Sequence, residues 1–376
     1  FNPIDSISGS RKSFFIMNNN RGVTYWSDGK DKRIFYTAGY QLHCLDAETG
    51  KLKKDFGDSG KVDLHKGFAR NVDDLYISNA SPVIIFRNLV ISGSRVDEGP
   101  AAAPGDIRAY DARTGKQVWI FHTIPLPGEK GHETWDNPEA YKKIGGANNW
   151  SGMSLDEKRG ILFVPTGSAS FDFYGGKRTG DNLYADCLLA LDAATGKLIW
   201  HYQNIHHDVW DRDLPTPPAL VTVTHNGKKV DAVAQPTKAG YVYVFNRETG
   251  ESLFPIEEVP VPTDTRLAGE KLSPTQPRPL KPAPFVRQSF PESELNDLVP
   301  DSSYQDIKKR WMSYRKDHMY APPSKEGTII FPGFDGGAEW GGPAYDPETG
   351  LLYINANEMP WVLTMVEKPV TPLKEN

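Results

Sequence analysis

The chain repeats one short pattern: an apolar, β-forming segment, then Asp-x-x-Thr-Gly, then a second β-forming segment. Five copies occur, with Asn replacing Asp in the fourth, at residues 46–50, 111–115, 192–196, 246–250 and 346–350. Asp or Asn caps such a turn with its own side chain and Gly supplies the left-handed residue, so each copy predicts a β-hairpin. Unrelated hairpins would explain any single copy, but five copies with the same Asp and Gly indicate a repeated unit.

A hairpin-based unit of roughly 40–50 residues, with insertions, is typical of a β-propeller blade. The sequence therefore predicts an all-β propeller in which about five blades are recognisable. A weaker copy of the turn occurs at 156–160. The aromatic residues that follow the turns, Trp119, Trp200 and Phe254, are expected to pack between blades.

One stretch, at about 256–325, departs from the repeat, and its first part is rich in Pro and polar residues. We expect it to run over the surface as an excursion from a single domain that covers 1–376. Ser302 and Gln305 resemble a capping box, and aromatic and apolar residues follow at helical spacing. These features predict a short helix near 303–316, packed on the propeller.

Composition excludes several other classes of protein. The 43 basic and 48 acidic residues give a net charge of −5 without a basic block, which argues against nucleic-acid binding. No apolar run approaches the roughly 18–20 residues of a membrane span, so no transmembrane segment is expected in this chain. The two cysteines form no disulfide framework or haem-attachment motif, and no leader sequence is recognisable at Phe1.

The densest polar cluster lies at 206–215, where two histidines and three aspartates surround a tryptophan. Such a group is costly to bury unless its members are paired or bind a metal. Asp211 and Asp213 lie two residues apart, so in an extended segment they share one side. Their repulsion would raise the pKa of one of them unless a cation is bound. No Cys or third His stands at zinc-site spacing, and we interpret the cluster as a functional site.

Three further positions carry candidate chemistry. Asp97 and Glu98 follow an apolar strand beside Arg95, where carboxylates could hold a hard cation, or simply form a solvated loop with a local ion pair. Trp150 could stack beneath a flat ligand or be a core residue. Lys238 precedes a strand and could hold a carbonyl or carboxylate, although most lysines are simply solvated.

Taken together, the stretches 206–215, 237–240 and 321–342 resemble the PQQ-dependent quinoprotein dehydrogenases, with the membrane-type glucose dehydrogenase branch nearest. The resemblance covers essentially the whole chain and implies the eight-bladed quinoprotein propeller. Residues 1–20 are not expected to supply a blade. Since only about five units are recognisable, the resemblance implies that the remaining blades, and any electron-accepting haem domain, lie beyond this sequence.

The same resemblance implies roles around the cofactor. Asp211 matches the family's catalytic base, and Lys238 matches the lysine that hydrogen-bonds the quinone oxygens. Trp150 matches the indole beneath the PQQ ring. Arg95 falls near the cofactor carboxylates, and Trp340 lies in a segment that approaches the cofactor at the propeller axis.

For the metal, Glu98 matches the family's acidic ligand. Ser168 stands where alcohol-oxidising relatives have an asparagine ligand, and Asp213 matches a position that adds a lanthanide ligand in some relatives. Two features depart from the pattern. The chain has no vicinal cysteine pair, and Trp26 occupies the position where the glucose branch has a histidine.

The implied activity is a PQQ- and calcium-dependent oxidation of a sugar, polyol or alcohol hydroxyl by hydride transfer to the quinone, with another divalent or lanthanide ion as an alternative metal. A cytochrome c or quinone electron acceptor and a periplasmic location are implied with it. The alternatives are a non-catalytic periplasmic propeller, serving as a scaffold or binding module, and a calcium-dependent sugar-binding protein. Neither has use for Glu98, Trp150, Asp211 and Lys238 together, so these four residues favour the enzyme.

Overall fold

The computed structural model describes residues 20–100 and 102–367. Within these ranges the chain forms antiparallel sheets in succession, with one α-helix and three short 3-10 helices. Residues 1–20 are expected to supply no blade. All of them except Asn20 lie outside the described part of the chain.

Four sheets have three or four strands in up-and-down order, as propeller blades do. The first contains β1 (Thr24–Ser27), β2 (Lys32–Ala38), β3 (Gln41–Asp46) and β4 (Lys61–Asp63). The second contains β6 (Ile84–Phe86), β7 (Leu89–Ser92), β9 (Ile107–Asp111) and β10 (Gln117–Phe121). The third contains β11 (Ser154–Asp156), β12 (Ile161–Pro165), β13 (Cys187–Asp192) and β14 (Leu198–Gln203). The fourth contains β15 (Ala219–His225), β16 (Lys228–Pro236) and β17 (Val242–Asn246).

Smaller elements complete the described chain. Two-stranded sheets pair β5 (Ile77–Ser78) with β8 (Arg95–Val96), β18 (Ile256–Pro260) with β19 (Thr275–Pro279), β20 (Thr328–Ile330) with β23 (Trp361–Leu363), and β21 (Ala344–Asp346) with β22 (Leu351–Tyr353). The helices are α1 (Asp301–Ser313) and 3-10 turns at His132–Thr134, Ala140–Lys142 and Glu292–Glu294. None of the helices in the described ranges has the length and apolar character needed to cross a membrane.

The predicted repeat turns are confirmed as hairpins of five different sheets. At the first, Asp46 Oδ1 accepts the backbone N–H and the hydroxyl of Thr49, each at 2.8 Å. The glycines that close the five turns have φ between 68° and 73°, a left-handed conformation that favours glycine. The weaker copy at 156–160 joins β11 to β12 of the third sheet, so it adds no further sheet.

Tryptophans after the turns join neighbouring sheets, as predicted. Trp119 of the second sheet donates its indole N–H to Ala193 O in the turn of the third, at 3.3 Å. Trp200 makes the equivalent bond to the turn of the fourth sheet at 3.0 Å. A Cβ on Gly196 would lie 2.5 Å from the Trp119 ring, and one on Gly250 would lie 2.7 Å from the Trp200 ring. The repeat glycine therefore closes its own turn and also leaves space for the tryptophan ring of the preceding sheet.

The core lies between the faces of successive sheets. Adjacent residues of a strand point to opposite faces. Leu162 of β12 packs with the cluster shared by the second and third sheets, whereas Phe163 packs with the cluster shared by the third and fourth. All five residues of β12 are buried, so the third sheet is covered on both sides.

The excursion is more ordered than its composition suggests, since it contains the β18–β19 hairpin. Helix α1 begins at Asp301, and its N-cap is Pro300, with no side-chain hydrogen bond to the cap. The predicted capping box of Ser302 and Gln305 is therefore wrong. Pro300 restricts the backbone at the helix start, which leaves Ser302 inside the first turn, where it cannot act as the cap. Trp311 of the helix donates its indole N–H to Phe290 O, within the excursion, at 3.4 Å, and packing of the helix on the propeller stays a prediction.

Candidate active site

The candidate residues from distant parts of the sequence meet at one cavity of about 380 Å³. Its wall includes all eight predicted site residues: Arg95, Glu98, Trp150, Ser168, Asp211, Asp213, Lys238 and Trp340. They come from β8 and from loops between the strands of different sheets. The fold thus places every sequence-predicted side chain on the same surface.

Lys238 lies at the centre of this wall, in the turn that follows β16. Its Nζ is 2.8 Å from Asp211 Oδ1 and 3.7 Å from Asp213 Oδ2. Burial alone would lower the pKa of Lys238, but the two carboxylates outweigh burial and raise that pKa above its usual range. The ammonium is therefore charged in this cavity.

The two aspartates respond oppositely to this environment, although they are only two residues apart. Burial raises the pKa of Asp211 well above its usual range, with Asp213 adding to the rise and Lys238 opposing it. For Asp213, burial is outweighed by Lys238 and by hydrogen bonds from Ser168 and Trp150, and its pKa is lowered. The two environments therefore separate the pKa values of the two carboxylates, with that of Asp211 the higher.

The turn that carries Asp211 is held by hydrogen bonds around Asp208. The Asp208 carboxylate accepts the backbone N–H groups of Trp210 at 2.9 Å and Arg212 at 2.7 Å. It also accepts the Ser168 hydroxyl at 2.5 Å. Asp211 itself has φ of 56°, a left-handed conformation that a non-glycine residue keeps only when its surroundings enforce it.

Trp150 presents its ring to two cations. Its indole N–H donates to Asp213 Oδ2 at 2.7 Å, which fixes the plane of the ring. Lys238 Nζ lies 5.9 Å from the Trp150 ring centroid, and the Arg21 guanidinium lies 5.5 Å from it. Arg21 is also 4.5 Å from the ring centroid of Trp340. These contacts form a flat, cation-lined slot.

Sequence reasoning missed three charged residues of the wall, namely Arg21, Asp172 and Glu339. Arg21 precedes the first strand, and two complete four-stranded sheets separate it from Trp150 in the sequence, so no local pattern indicates it. Asp172 stands in no recognised motif, and burial followed by the charge of Asp211 raises its pKa well above the usual range. Glu339 lies beside the predicted Trp340, and burial raises its pKa to about 7.

PQQ, a flat aromatic tricarboxylate, matches the chemistry of this slot. Trp150 offers an aromatic face, and Arg21, Arg95 and Lys238 offer positive charge for carboxylate and quinone oxygens. Among the described residues that line the cavity, acidic side chains outnumber basic ones. The slot therefore fits a planar anion together with a cation.

The fit to a metal ion is partial. Burial and the charge of Asp213 raise the pKa of Glu98, a strain that a cation would relieve. Yet no group of three or more His, Cys, Asp or Glu side chains in the described residues is arranged to hold a metal. The Ser168 hydroxyl lies within hydrogen-bond distance of Asp208 and Asp213, so it orients carboxylates. A cation beside Glu98 and Asp213 would need further oxygens from a ligand or water.

Trp26, at the position of the expected histidine, lies elsewhere. It is buried in β1 and donates its indole N–H to Arg87 O at 2.9 Å. It is not among the residues that line the cavity. Its identity therefore has no direct bearing on the ligands of this cavity.

Solved structures with the same fold include a quinohemoprotein alcohol dehydrogenase from Pseudomonas putida, with TM-score 0.65 and 23% identity over 93% of this chain and 45% of that chain. A europium-containing methanol dehydrogenase has TM-score 0.63 and 22% identity over 91% of this chain and 53% of that chain. These likenesses confirm the quinoprotein propeller fold.

Among curated proteins, the chain is 33% identical to quinoprotein glucose dehydrogenase of Escherichia coli over 89% of this chain and 42% of the relative. It is 35% identical to quinate/shikimate dehydrogenase (quinone) of Acinetobacter baylyi over 89% of this chain and 41% of that relative. It is 31% identical to the glycerol dehydrogenase large subunit of Gluconobacter oxydans over 90% of this chain and 47% of that relative. The chain thus spans less than half the length of these relatives.

The family described as "PQQ: Glucose/ethanol/alcohol dehydrogenase, beta-propeller domain" matches residues 6–376. This match agrees with the resemblance seen in the motifs and with the cation-lined slot beside Trp150. The chain belongs to the PQQ-dependent glucose, ethanol and alcohol dehydrogenase family, as its β-propeller domain.

Proposed function

We propose that this chain forms the catalytic propeller of a PQQ-dependent dehydrogenase that oxidises a hydroxyl group of a sugar, polyol or alcohol. The observation that carries the proposal is the Lys238–Asp211 pair, with Nζ and Oδ1 2.8 Å apart, beside the Trp150 ring in a single cavity. The names of the relatives, which include glucose and glycerol dehydrogenases, support this class of substrate.

In this proposal, Trp150 supports the cofactor ring, and Arg21 and Arg95 pair with its carboxylates. When bound, PQQ supplies an ortho-quinone that accepts two electrons, chemistry that no side chain of the protein offers. Lys238 Nζ lies 5.9 Å from the Trp150 ring centroid and would donate to the quinone oxygens of a bound cofactor. The protein contributes position and charge.

Asp211 takes the proton of the substrate hydroxyl as a general base. Lys238 holds Oδ1, and no protein donor in the described residues occupies Oδ2, which leaves that oxygen for substrate. The raised pKa makes Asp211 a stronger base than an exposed aspartate. Asp213 remains ionised and keeps Lys238 charged after Asp211 has gained its proton.

Glu98 and Asp213 would supply carboxylate oxygens to Ca²⁺, or to another divalent or lanthanide ion, since hard cations prefer such ligands. Ser168 holds Asp213 in place through its backbone N–H, which donates to Asp213 Oδ1 at 2.8 Å. We further propose a cytochrome c or quinone as the electron acceptor and a periplasmic location, both supported by family membership alone.

Reconstitution tests the proposal. The full protein is loaded with PQQ and Ca²⁺ and desalted, its quinone absorbance is recorded, and dye reduction is assayed with aldoses, polyols, simple alcohols and quinate. We expect retained quinone and reduction by one substrate class. Trp150→Ala and Arg21→Gln should lower quinone retention, whereas Arg266→Gln, on the exposed surface, should not. Retained quinone without reduction by any substrate would contradict a dehydrogenase and favour a binding module.

A further inference from the structure

Two consecutive histidines connect the segment that carries Asp211 to the Pro-rich excursion. His206 Nε2 lies 3.3 Å from Glu258 Oε1 of β18, and half of the Glu258 side chain is exposed. His207 Nε2 lies 2.7 Å from Glu270 Oε1, and each of these side chains is only 1% exposed. The two pairs are alike in chemistry but differ sharply in burial.

The surroundings of His207 determine its hydrogen bonding. Its Nδ1 lies 2.8 Å from the carbonyl oxygen of Gly180, which can only accept. Burial would raise the pKa of Glu270, but His207 and the N–H of Gly175 outweigh burial and lower it, so the carboxylate is ionised. With an acceptor at each ring nitrogen, the geometry allows both nitrogens to donate, which pairs the imidazole with the Glu270 carboxylate.

The chain closes tightly around this pair. Gly175 donates its N–H to Glu270 Oε2 at 2.6 Å, and a Cβ at Gly175 would clash with His207 Nε2. Arg178, also buried, faces Glu270 and donates to the backbone oxygen of Asp208 at 2.5 Å. Three separate segments of the chain therefore meet at the imidazole.

The segment that follows is held in an unfavourable backbone conformation. His207 has φ of 46° and Asp211 has φ of 56°, so two non-glycine residues four positions apart are left-handed. Such conformations persist only where surrounding contacts enforce them. The bonds from His207 to Glu270 and Gly180 fix one end of this segment, and the Asp208 hydrogen bonds fix its middle.

We propose that His207 and Glu270 form a positioning pair that holds the Asp211 turn in its reactive orientation and ties the excursion to the active site. The inference rests on the proposed role of Asp211 as the base. His207 does not line the cavity, so it acts through the backbone that leads to Asp211. The pair of His206 and Glu258, which is less buried, provides the matched control.

The charge of the ring can be measured without any activity. Nitrogen-15 shifts of histidine-labelled protein, assigned with His207→Gln, should show both ring nitrogens protonated at pH 7. In Glu270→Gln the amide can accept from Gly175 and donate to Nε2, so the ring should become neutral with its hydrogen bonds kept. A neutral His207 ring in the unaltered protein would refute the ion pair.

Turnover of the full protein, loaded with PQQ and Ca²⁺, tests the positioning role. His207→Ala and Glu270→Ala should each lower kcat by about tenfold to a hundredfold with little change in KM, as small misplacements of catalytic groups do. The double variant should be no worse than the poorer single one, because both remove the same contact. Glu270→Gln should keep most of kcat, and His206→Ala and Glu258→Ala should stay within about twofold.

Several outcomes would overturn the positioning role. A folded His207→Ala variant with unchanged kcat would do so, as would additive losses in the double variant. If the alanine variants fail to fold, as judged by thermal unfolding, His207→Gln should reproduce the loss of kcat, and unchanged kcat would refute the role. An inactive unaltered protein would refute the proposed function and the positioning role with it, whereas the ring shifts would still report on the pair itself.

Discussion

The Nζ of Lys238 lies 2.8 Å from Asp211 and 3.7 Å from Asp213, so one buried ammonium serves two carboxylates. Asp213 has additional donors in Ser168 and Trp150, whereas Lys238 supplies the one protein donor that we observe on Asp211 within the described residues. The difference in hydrogen bonding separates the two carboxylates chemically, and it makes Asp211 the more basic of them.

Removing this ammonium should destabilise the protein. Lys238→Met leaves two buried carboxylates without their shared cation, a loss that typically costs about 3–5 kcal/mol for a buried pair. We expect a lower free energy of unfolding by urea at pH 7 in protein without cofactor. Lys66→Met removes an exposed pair with Asp73 and should change stability by less than about 1 kcal/mol. Equal effects of the two substitutions would contradict the buried pairing.

Replacing Asp211, the proposed base, should separate cofactor binding from turnover. Asp211→Asn keeps the size of the side chain but cannot accept the substrate proton, so kcat should fall by about a hundredfold or more. Quinone retention after desalting should remain near that of the unaltered protein. Asp73→Asn on the surface serves as the control. Turnover by Asp211→Asn at the unaltered rate would assign the base to another residue.

A pH effect on stability is expected from Asp106, far in sequence from the catalytic turn. Burial raises its pKa to about 6, well above that of an exposed aspartate near 4. Between these pH values the folded protein binds more protons than the unfolded chain. The free energy of unfolding therefore falls as pH rises, because Asp106 ionises in an unfavourable site. The loss is greatest above pH 6. Asp106→Asn can keep the bond from the Thr123 N–H, which is 3.1 Å long.

The Asp106→Asn variant should therefore be more stable than the unaltered protein at pH 7, by up to about 3 kcal/mol. The difference should shrink as pH falls from 6 and vanish near pH 4. Denaturant unfolding at several pH values measures it. A variant that is destabilised equally at every pH would show that the ionised carboxylate is not costly at this position.

Two repeat glycines with the same backbone conformation allow the contact between sheets to be measured. Gly50→Ala places a Cβ in open space at φ of 68°, so only the left-handed conformation is penalised, by about 1–2 kcal/mol. Gly196→Ala adds a clash with the Trp119 ring at 2.5 Å and should cost about 1–3 kcal/mol more. Equal losses in urea unfolding would mean that the tryptophan moves aside without cost.

The parts of the molecule that depend on local interactions are predictable from the sequence. The hairpins follow from contacts within five residues, such as those from Asp46 to Thr49, which form in the same way at Asp111 and Asp192. The failed capping box shows the limit of even local patterns. Ser302 has the right neighbours, but the helix already begins at Asp301, with Pro300 at the N-cap position.

The family motifs indicate individual site residues, yet not how those residues interact. The pairing of Lys238 with Asp211 and the Trp150 bond to Asp213 join residues far apart in sequence. Arg21, at the start of the described chain, enters the site only because the segment before the first sheet reaches Trp150, whose backbone oxygen accepts a hydrogen bond from Arg21 at 3.1 Å. The sequence alone therefore determines the repeated hairpins, the fold class and a set of candidate side chains. The tertiary structure decides which charges share a cavity, because burial and neighbouring charges arise only when distant loops meet.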